Sequence, residues 1–247
     1  MARKKKEEVI MDFGKIKVPT KWDEVTLQQM CDYLRRGKEK EDKYAEDCKA
    51  AREGKLPMPN KEHEMYNLTD KDLIECFTEL TMEQIEMLPS EFYASILSNF
   101  AFVAEELKAD PKKEIYVGVD RFIVNDKETL KVKEYEDVTM VLNNDPYDYP
   151  SLLAILLRKV KGRKTDNATG LSWLVNEDYN SEFANKIFDA RREMWARMPI
   201  TEVFPIIKFF FLKTMLSETA LQRYSTIQDH RLKDIAEHIS SLQEATD

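Results

Sequence analysis

The residues best equipped for chemistry are few and scattered. The three histidines are His63, His230 and His238. A helical metal pair needs i,i+3 or i,i+4 spacing so that both ligands share a face, whereas His230 and His238 are more than two turns apart. Cys31, Cys48 and Cys76 are odd in number and lack CxxC spacing. They read as three reduced thiols in a cytosolic setting rather than as a disulfide framework. No GxSxG nucleophile elbow is present. The six glycines (14, 37, 54, 118, 162 and 170) never cluster, and neither GxxxxGK(S/T) nor GxGxxG occurs. That excludes the commonest phosphate-cradling loops and the nucleotide enzymes built on them.

Acidic residues are plentiful, 46 Asp and Glu against 38 Lys and Arg, so chance pairs are expected. Glu105/Glu106 and Glu136/Asp137 are adjacent in sequence, which sends them to different faces of a helix. Asp145 and Asp148 flank Pro146-Tyr147 without the alternating order of an EF-hand loop, and read as an acidic turn capping a helix. No catalytic, cofactor-binding or metal-ligating residue is assigned on this basis, and no cofactor is expected.

Basic and aromatic groups offer binding rather than catalysis. Arg158, Lys159, Lys161, Arg163 and Lys164 form one cluster, and Arg191, Arg192 and Arg197 lie near Trp195. Cations interleaved with an aromatic suit phosphate contact and base stacking, but cations following a helix also complement its dipole. The net charge of −8 argues against a protein whose whole surface grips nucleic acid. Phe204, Phe209, Phe210 and Phe211 suit either a core helix or an interface shared with another chain. The candidate partner-binding residues are therefore Trp22, Arg158, Lys159, Lys161, Arg163, Lys164, Phe209, Phe210 and Phe211.

These groups must be positioned by a chain of 247 residues, 43% hydrophobic and 34% charged. That composition is ordinary for a soluble globular protein with an ample core. Residues 1–20 read as a basic, partly extended tail carrying Arg3–Lys6. Residues 21–110 read as a helical region with a charged helical arm at about 35–55. Residues 111–247 read as a β-hairpin plus helices packed with the preceding part as one domain. Capping boxes begin at Thr26, Thr69 and Thr81, and Ser90–Leu107 has core-helix spacing. Alternation from Ile115 to Val124, a polar turn at 125–128 and Leu130 with Val132 give a small central hairpin over about 114–132. Helices are expected over 133–143, 151–161, 181–197, 203–217 and 219–243, and a polar loop over 162–180 anchored by Trp173 and Leu174. The fold class is mainly α, a multi-helix globular domain with that one hairpin. The charged start precedes no signal-peptide run. Ile200–Leu216 is interrupted by Glu202, Pro205, Lys208 and Lys213, so it reads as a buried helix rather than a membrane span.

Three blocks carry a family resemblance. "IKVPTKWDEVTLQQM" (16–30), "DRFIVNDKETLKVKEYEDVTMVLNNDPYDYPSLLAILLRK" (120–159) and "FPIIKFFFL" (204–212) resemble successive blocks of tail-assembly-chaperone-like proteins of tailed bacteriophages. The long charged 35–55 arm departs from that pattern. The resemblance implies a non-enzymatic morphogenesis protein acting in the host cytoplasm or retained in the virion. It would bind other phage structural or assembly proteins or further copies of itself. A small nucleic-acid-binding packaging or regulatory factor is the alternative.

Overall fold

The computed structural model describes residues 16–124, 132–166, 171–177, 179 and 181–213, with backbone alone at Trp173, 181–186 and 212–213. The first long helix, α1 (Leu27–Arg52), starts where Thr26 and Gln29 exchange hydrogen bonds, Thr26 N donating to Gln29 Oε1 at 2.8 Å. Thr69 with Asp72 and Thr81 with Gln84 do the same for α2 (Asp70–Phe77) and α3 (Met82–Glu86). Each box satisfies amide groups that the helix itself leaves orphaned, and all three lie where the sequence places them.

Pro89 opens α4 (Ser90–Asn99), which is shorter than the helix expected to reach Leu107; residues 100–104 tighten into a 3-10 turn. Phe100, Phe102 and Val103 are all buried there. On an α-helix, positions 100 and 102 would point roughly 200° apart, so tighter winding is needed to bring them inward together. Phe102 and Phe77 then meet the Trp22 ring edge-on, at 5.1 and 6.5 Å. Trp22 Nε1 donates to the Glu105 carbonyl at 3.1 Å.

The expected hairpin forms, but its turn and second strand lie elsewhere. β1 (Glu114–Val117) pairs with β2 (Asp120–Val124) through the two-residue loop Gly118-Val119. Gly118 has φ of +59° and Val119 does not have positive φ, the type II′ pattern that suits strand twist. Val132, expected in the return strand, instead begins α5 (Val132–Asn144), and residues 125–131 lie outside the described set.

A second correction follows from the next elements. The helix expected over 151–161 is α6 (Tyr149–Leu156), which stops short and gives way to β3 (Leu157–Thr165); the expected polar loop contains β4 (Ser172–Asn176). The result is a four-stranded antiparallel sheet in the order β1-β2-β3-β4 rather than one hairpin. From Leu157 onward the backbone finds its partners in β2 and β4, which outweighs the helical pattern of the preceding apolar run. Helix α7 (Ser181–Ala196) follows, then α8 (Ile200–Lys213), which starts three residues earlier than expected. The helix expected at 219–243 and the 1–15 part of the tail lie outside the described residues.

The early start of α8 has a clear cause. Ile200 N donates to the Val25 carbonyl and Leu27 N to the Met198 carbonyl, each at 2.8 Å. The two helix starts thus supply acceptors for each other's orphan amides. Residues from both halves of the chain, including Trp22, Phe77, Phe100, Leu153, Leu157, Trp195 and Phe210, belong to one continuous apolar core.

Register assigns the sheet faces. Ile115, Phe122, Val124 and Leu157 share one face, where Phe122 meets Trp195 of α7 at 5.1 Å. Arg158 points to the other face and pairs with Glu134 of α5; these side chains are 4% and 1% exposed. The Arg158 guanidinium also stacks on the Tyr179 ring, 4.7 Å from its centroid. Removing one partner of such a pair strands a desolvated charge, at a cost of about 3–5 kcal/mol.

Two measurements follow. In urea unfolding, Glu134→Ala loses about 3–5 kcal/mol, while Glu134→Leu combined with Arg158→Met recovers most of that loss. The second concerns Asp72, which accepts from Thr69 N, Thr69 Oγ1 and Lys40 Nζ at 2.8, 2.7 and 2.5 Å. Burial alone would raise its pKa, but these bonds outweigh burial and hold it below the ordinary carboxylate value. Its stabilisation is therefore complete above the unfolded value of about 4. It is lost as pH falls through the lowered folded value. Asp72→Asn should flatten the acid limb of the stability profile below about pH 4.

Candidate interaction surfaces

The structure separates the expected partner-binding residues into buried and exposed groups. Trp22 is 8% exposed and Phe210 1%, with Phe211 at 9% and Phe209 half-buried. Phe211 meets Tyr149 and Phe210 edge-on. The aromatic helix α8 is thus largely committed to this chain's own core, because its apolar groups wrap most of its circumference. Arg158 is likewise inside. Its neighbour Tyr179 donates to Asp137, and both burial and that hydrogen bond push the phenol pKa up.

The remaining cations of the run follow the buried helix α6 as expected, but they lie on the paired strand β3 rather than in a helix's last turn. Lys159 pairs with Asp120 at 2.6 Å. Lys161, Arg163 and Lys164 are exposed and have no ion-pair partner among the described residues. β2 pairs only with Leu157–Lys159, whereas β4 pairs with Val160–Thr165. The outer half of β3–β4 is therefore a two-stranded ribbon. Thr165 and Ser172 hydroxyls join across it at 2.9 Å.

The second basic group serves the fold. Trp195 is fully buried, so it offers no stacking platform. Arg191 pairs with Glu177 and lies over the Phe122 ring, and Arg192 reaches Ser151 Oγ at 3.0 Å. Arg197 pairs with Glu193 within α7 and its following turn. The acidic turn does cap a helix: Asp148 accepts from Ser151 N and Oγ at 3.2 and 2.6 Å, and Asp145 accepts from Arg35 Nε at 2.6 Å.

The arm is the second surface. The start of α1 is core, with Leu27, Met30, Cys31 and Tyr33 buried, while the remainder is mostly solvated. Its charges are held by Lys38–Asp42, Lys43–Asp47 and the Lys40–Asp72 pair. The chain after the arm returns along it: Tyr66 donates to Asp47 at 2.8 Å and Lys40 to the Asn67 carbonyl at 2.6 Å. On that returning segment Leu56 is 50% exposed, Met58 66% and Met65 44%. Sequence reasoning passed over these three; the visible signal was Leu56-Pro-Met-Pro59, where two prolines stiffen the backbone.

A cleft of about 550 Å³ lies between the segment around Lys17 and Glu24, the first turns of α1, and the end of α2. It joins positions some fifty residues apart, so no local motif announces it. Several of its charged groups are already hydrogen-bonded: Arg36 donates to Glu75 at 2.7 Å, Gln28 to Asp32 at 2.8 Å, and Thr20 N to Glu24 at 2.9 Å. Cys76 lines it, and burial pushes the thiol pKa up to about 12, so the thiol stays protonated and unreactive at neutral pH. Among the described residues no group of three or more His, Cys, Asp or Glu is placed to hold a metal ion, and no helix is long and apolar enough to cross a membrane. His230 and His238 lie outside the described set.

Cys31, Cys48 and Cys76 are all free thiols. Cys31 is buried and its pKa is likewise raised by burial. Iodoacetamide at pH 8 should therefore alkylate the native protein once, at Cys48, and all three sites after denaturation, as read by peptide mass spectrometry. Comparison of the chain with protein-family models, curated proteins and solved structures returns no match.

Proposed function

We propose that this chain is a non-enzymatic assembly protein of a tailed bacteriophage, working through protein–protein interfaces as a chaperone or as a retained virion subunit. The phage context rests on the three resembling sequence blocks. These meet in one core: the 16–30 block exchanges backbone bonds with the start of α8, and the 120–159 block supplies β2, α6 and the start of β3. They are packing units.

The observation that carries the interface reading is the exposed apolar trio Leu56, Met58 and Met65 on the segment that returns along the arm. Single exposed apolar residues are ordinary, but three within ten positions on one surface segment favour a partner. Pro57 and Pro59 limit the entropy lost when Leu56 and Met58 are fixed in a complex. The methionines add side chains that adapt to an irregular partner surface. Many of the arm's charges are already paired within the chain, Lys38, Lys40 and Lys43 among them, which favours the apolar groups as the contact.

The test is a pull-down with the tagged full-length protein from phage-infected cells, beside the triple variant Leu56→Ser, Met58→Ser, Met65→Ser. Phage structural proteins should copurify with the parent and fall roughly tenfold with the variant, since a few buried apolar anchors dominate such interfaces. Equal capture by both, or no phage protein in either, refutes the proposal. Mass spectrometry of purified virions separates the two versions: presence marks a subunit, absence a chaperone.

A further inference from the structure

We propose that the outer half of the β3–β4 ribbon, Lys161–Thr165 against Ser172–Val175, is a binding site for duplex nucleic acid, with Lys161, Arg163 and Lys164 contacting phosphates on both sides of the ribbon. The site is independent of the arm, and its failure leaves the protein-partner reading untouched.

The first support is the state of the charges. Many cations elsewhere are engaged: Arg35, Arg36, Lys38, Lys40, Lys43, Arg121, Lys133, Lys159 and Arg191 have carboxylate partners. Exposed Lys49, Arg52, Lys61, Lys108, Lys112 and Lys113 have none among the described residues, but nowhere do three of these fall within four successive positions. Three cations in four successive residues without such a partner, all exposed, stand out against that background. Holding like charges this close is unfavourable in the free protein and is relieved by an anionic ligand.

The second support is their facing. Successive strand residues point to opposite faces. The register pairs Arg163 with Leu174 and Lys164 with Trp173, so Arg163 and Lys164 lie on opposite faces of the ribbon. Lys161 is the extra residue where the register shifts between Val160 and Gly162. A flat acidic protein surface would engage cations on one face only. A nucleic-acid groove has phosphates along both walls, and the major groove, about 12 Å wide, admits a two-stranded β-ribbon.

The third support is shape. The β2–β3 pairing stops at Phe122–Lys159, so beyond it β3 pairs with β4 alone, and five residues at about 3.4 Å each extend roughly 17 Å. The acidic remainder of the chain repels a polyanion and confines contact to this end. Phosphate contacts carry no sequence information, so binding is expected to be indifferent to base sequence.

The experiment uses the full-length protein and a fluorescein-labelled duplex of about 25 bp, with anisotropy read from about 20 to 200 mM NaCl. The expected result is saturable binding whose log K against log salt slope is about −2.7, three phosphates at roughly 0.9 each. The variant Lys161→Gln, Arg163→Gln, Lys164→Gln should bind roughly tenfold more weakly or worse. These side chains hold no described partner, and unchanged circular dichroism would confirm folding; Arg163→Gln alone, with a slope shallower by about one, gives a second reading. No binding at the lowest salt, or equal binding by the triple variant, overturns the proposal. So does equal binding of poly-L-glutamate, which would mark an acidic protein as the partner. Binding that survives the triple variant but vanishes with R3A/K4A/K5A/K6A would assign it to the tail, with the same consequence.

Discussion

The rest of the molecule depends on two backbone hydrogen bonds exchanged between residues 25–27 and 198–200. They join points more than 170 residues apart in sequence and place the starts of α1 and α8 side by side. From that junction α8 lies against the Trp22 turn and β1, and α1 runs first through the core and then out into solvent. Leu27 and Val203, close to the junction on each helix, are fully buried. Water cannot compete for those amides, and each helix completes the other's unfinished end. The direction of the arm is thus inherited from a contact made at its base.

Charge is used in two ways within one short strand. Arg158 is desolvated and bound to Glu134 and Tyr179, where it joins α5 to the sheet. A few residues on, Lys161, Arg163 and Lys164 leave the body of the sheet and face solvent. The transition coincides with the end of the β2–β3 pairing at Phe122–Lys159, so the extent of one ladder decides which cations are structural. Most other ion pairs are exposed and contribute little individually. They nonetheless remove charges from the surface available to a partner.

What was legible in the sequence was whatever is decided locally. Thr26, Thr69 and Thr81 announce helix starts because a capping box needs only four residues. The helical majority and the central β element follow from periodicity. The four-stranded sheet was not legible, since β3 and β4 depend on partners in β2 and in each other rather than on their own pattern. Gly118 could have marked the hairpin turn, but the polar run after Val124 was a stronger composition signal. The candidate contact residues show the same division. Lys161, Arg163 and Lys164 are exposed as a basic cluster suggests, whereas the burial of Trp22, Arg158 and Phe210 depends on elements remote in sequence. The cleft and the apolar trio on the segment after the arm do not show in the sequence, because exposure and concavity are properties of the folded surface.

The register shift at Lys161 has a consequence for how this chain can vary in length. Deleting one residue there would join the Val160–Asn176 and Gly162–Val175 pairs without interruption; the outer strand would keep its faces but lose the local bend and added twist that an extra residue gives. Insertions in the connection between Thr165 and Ser172 would leave both strands in phase. Length variation at the ribbon's tip therefore leaves its course unchanged, whereas at its root it alters the angle at which the ribbon leaves the sheet.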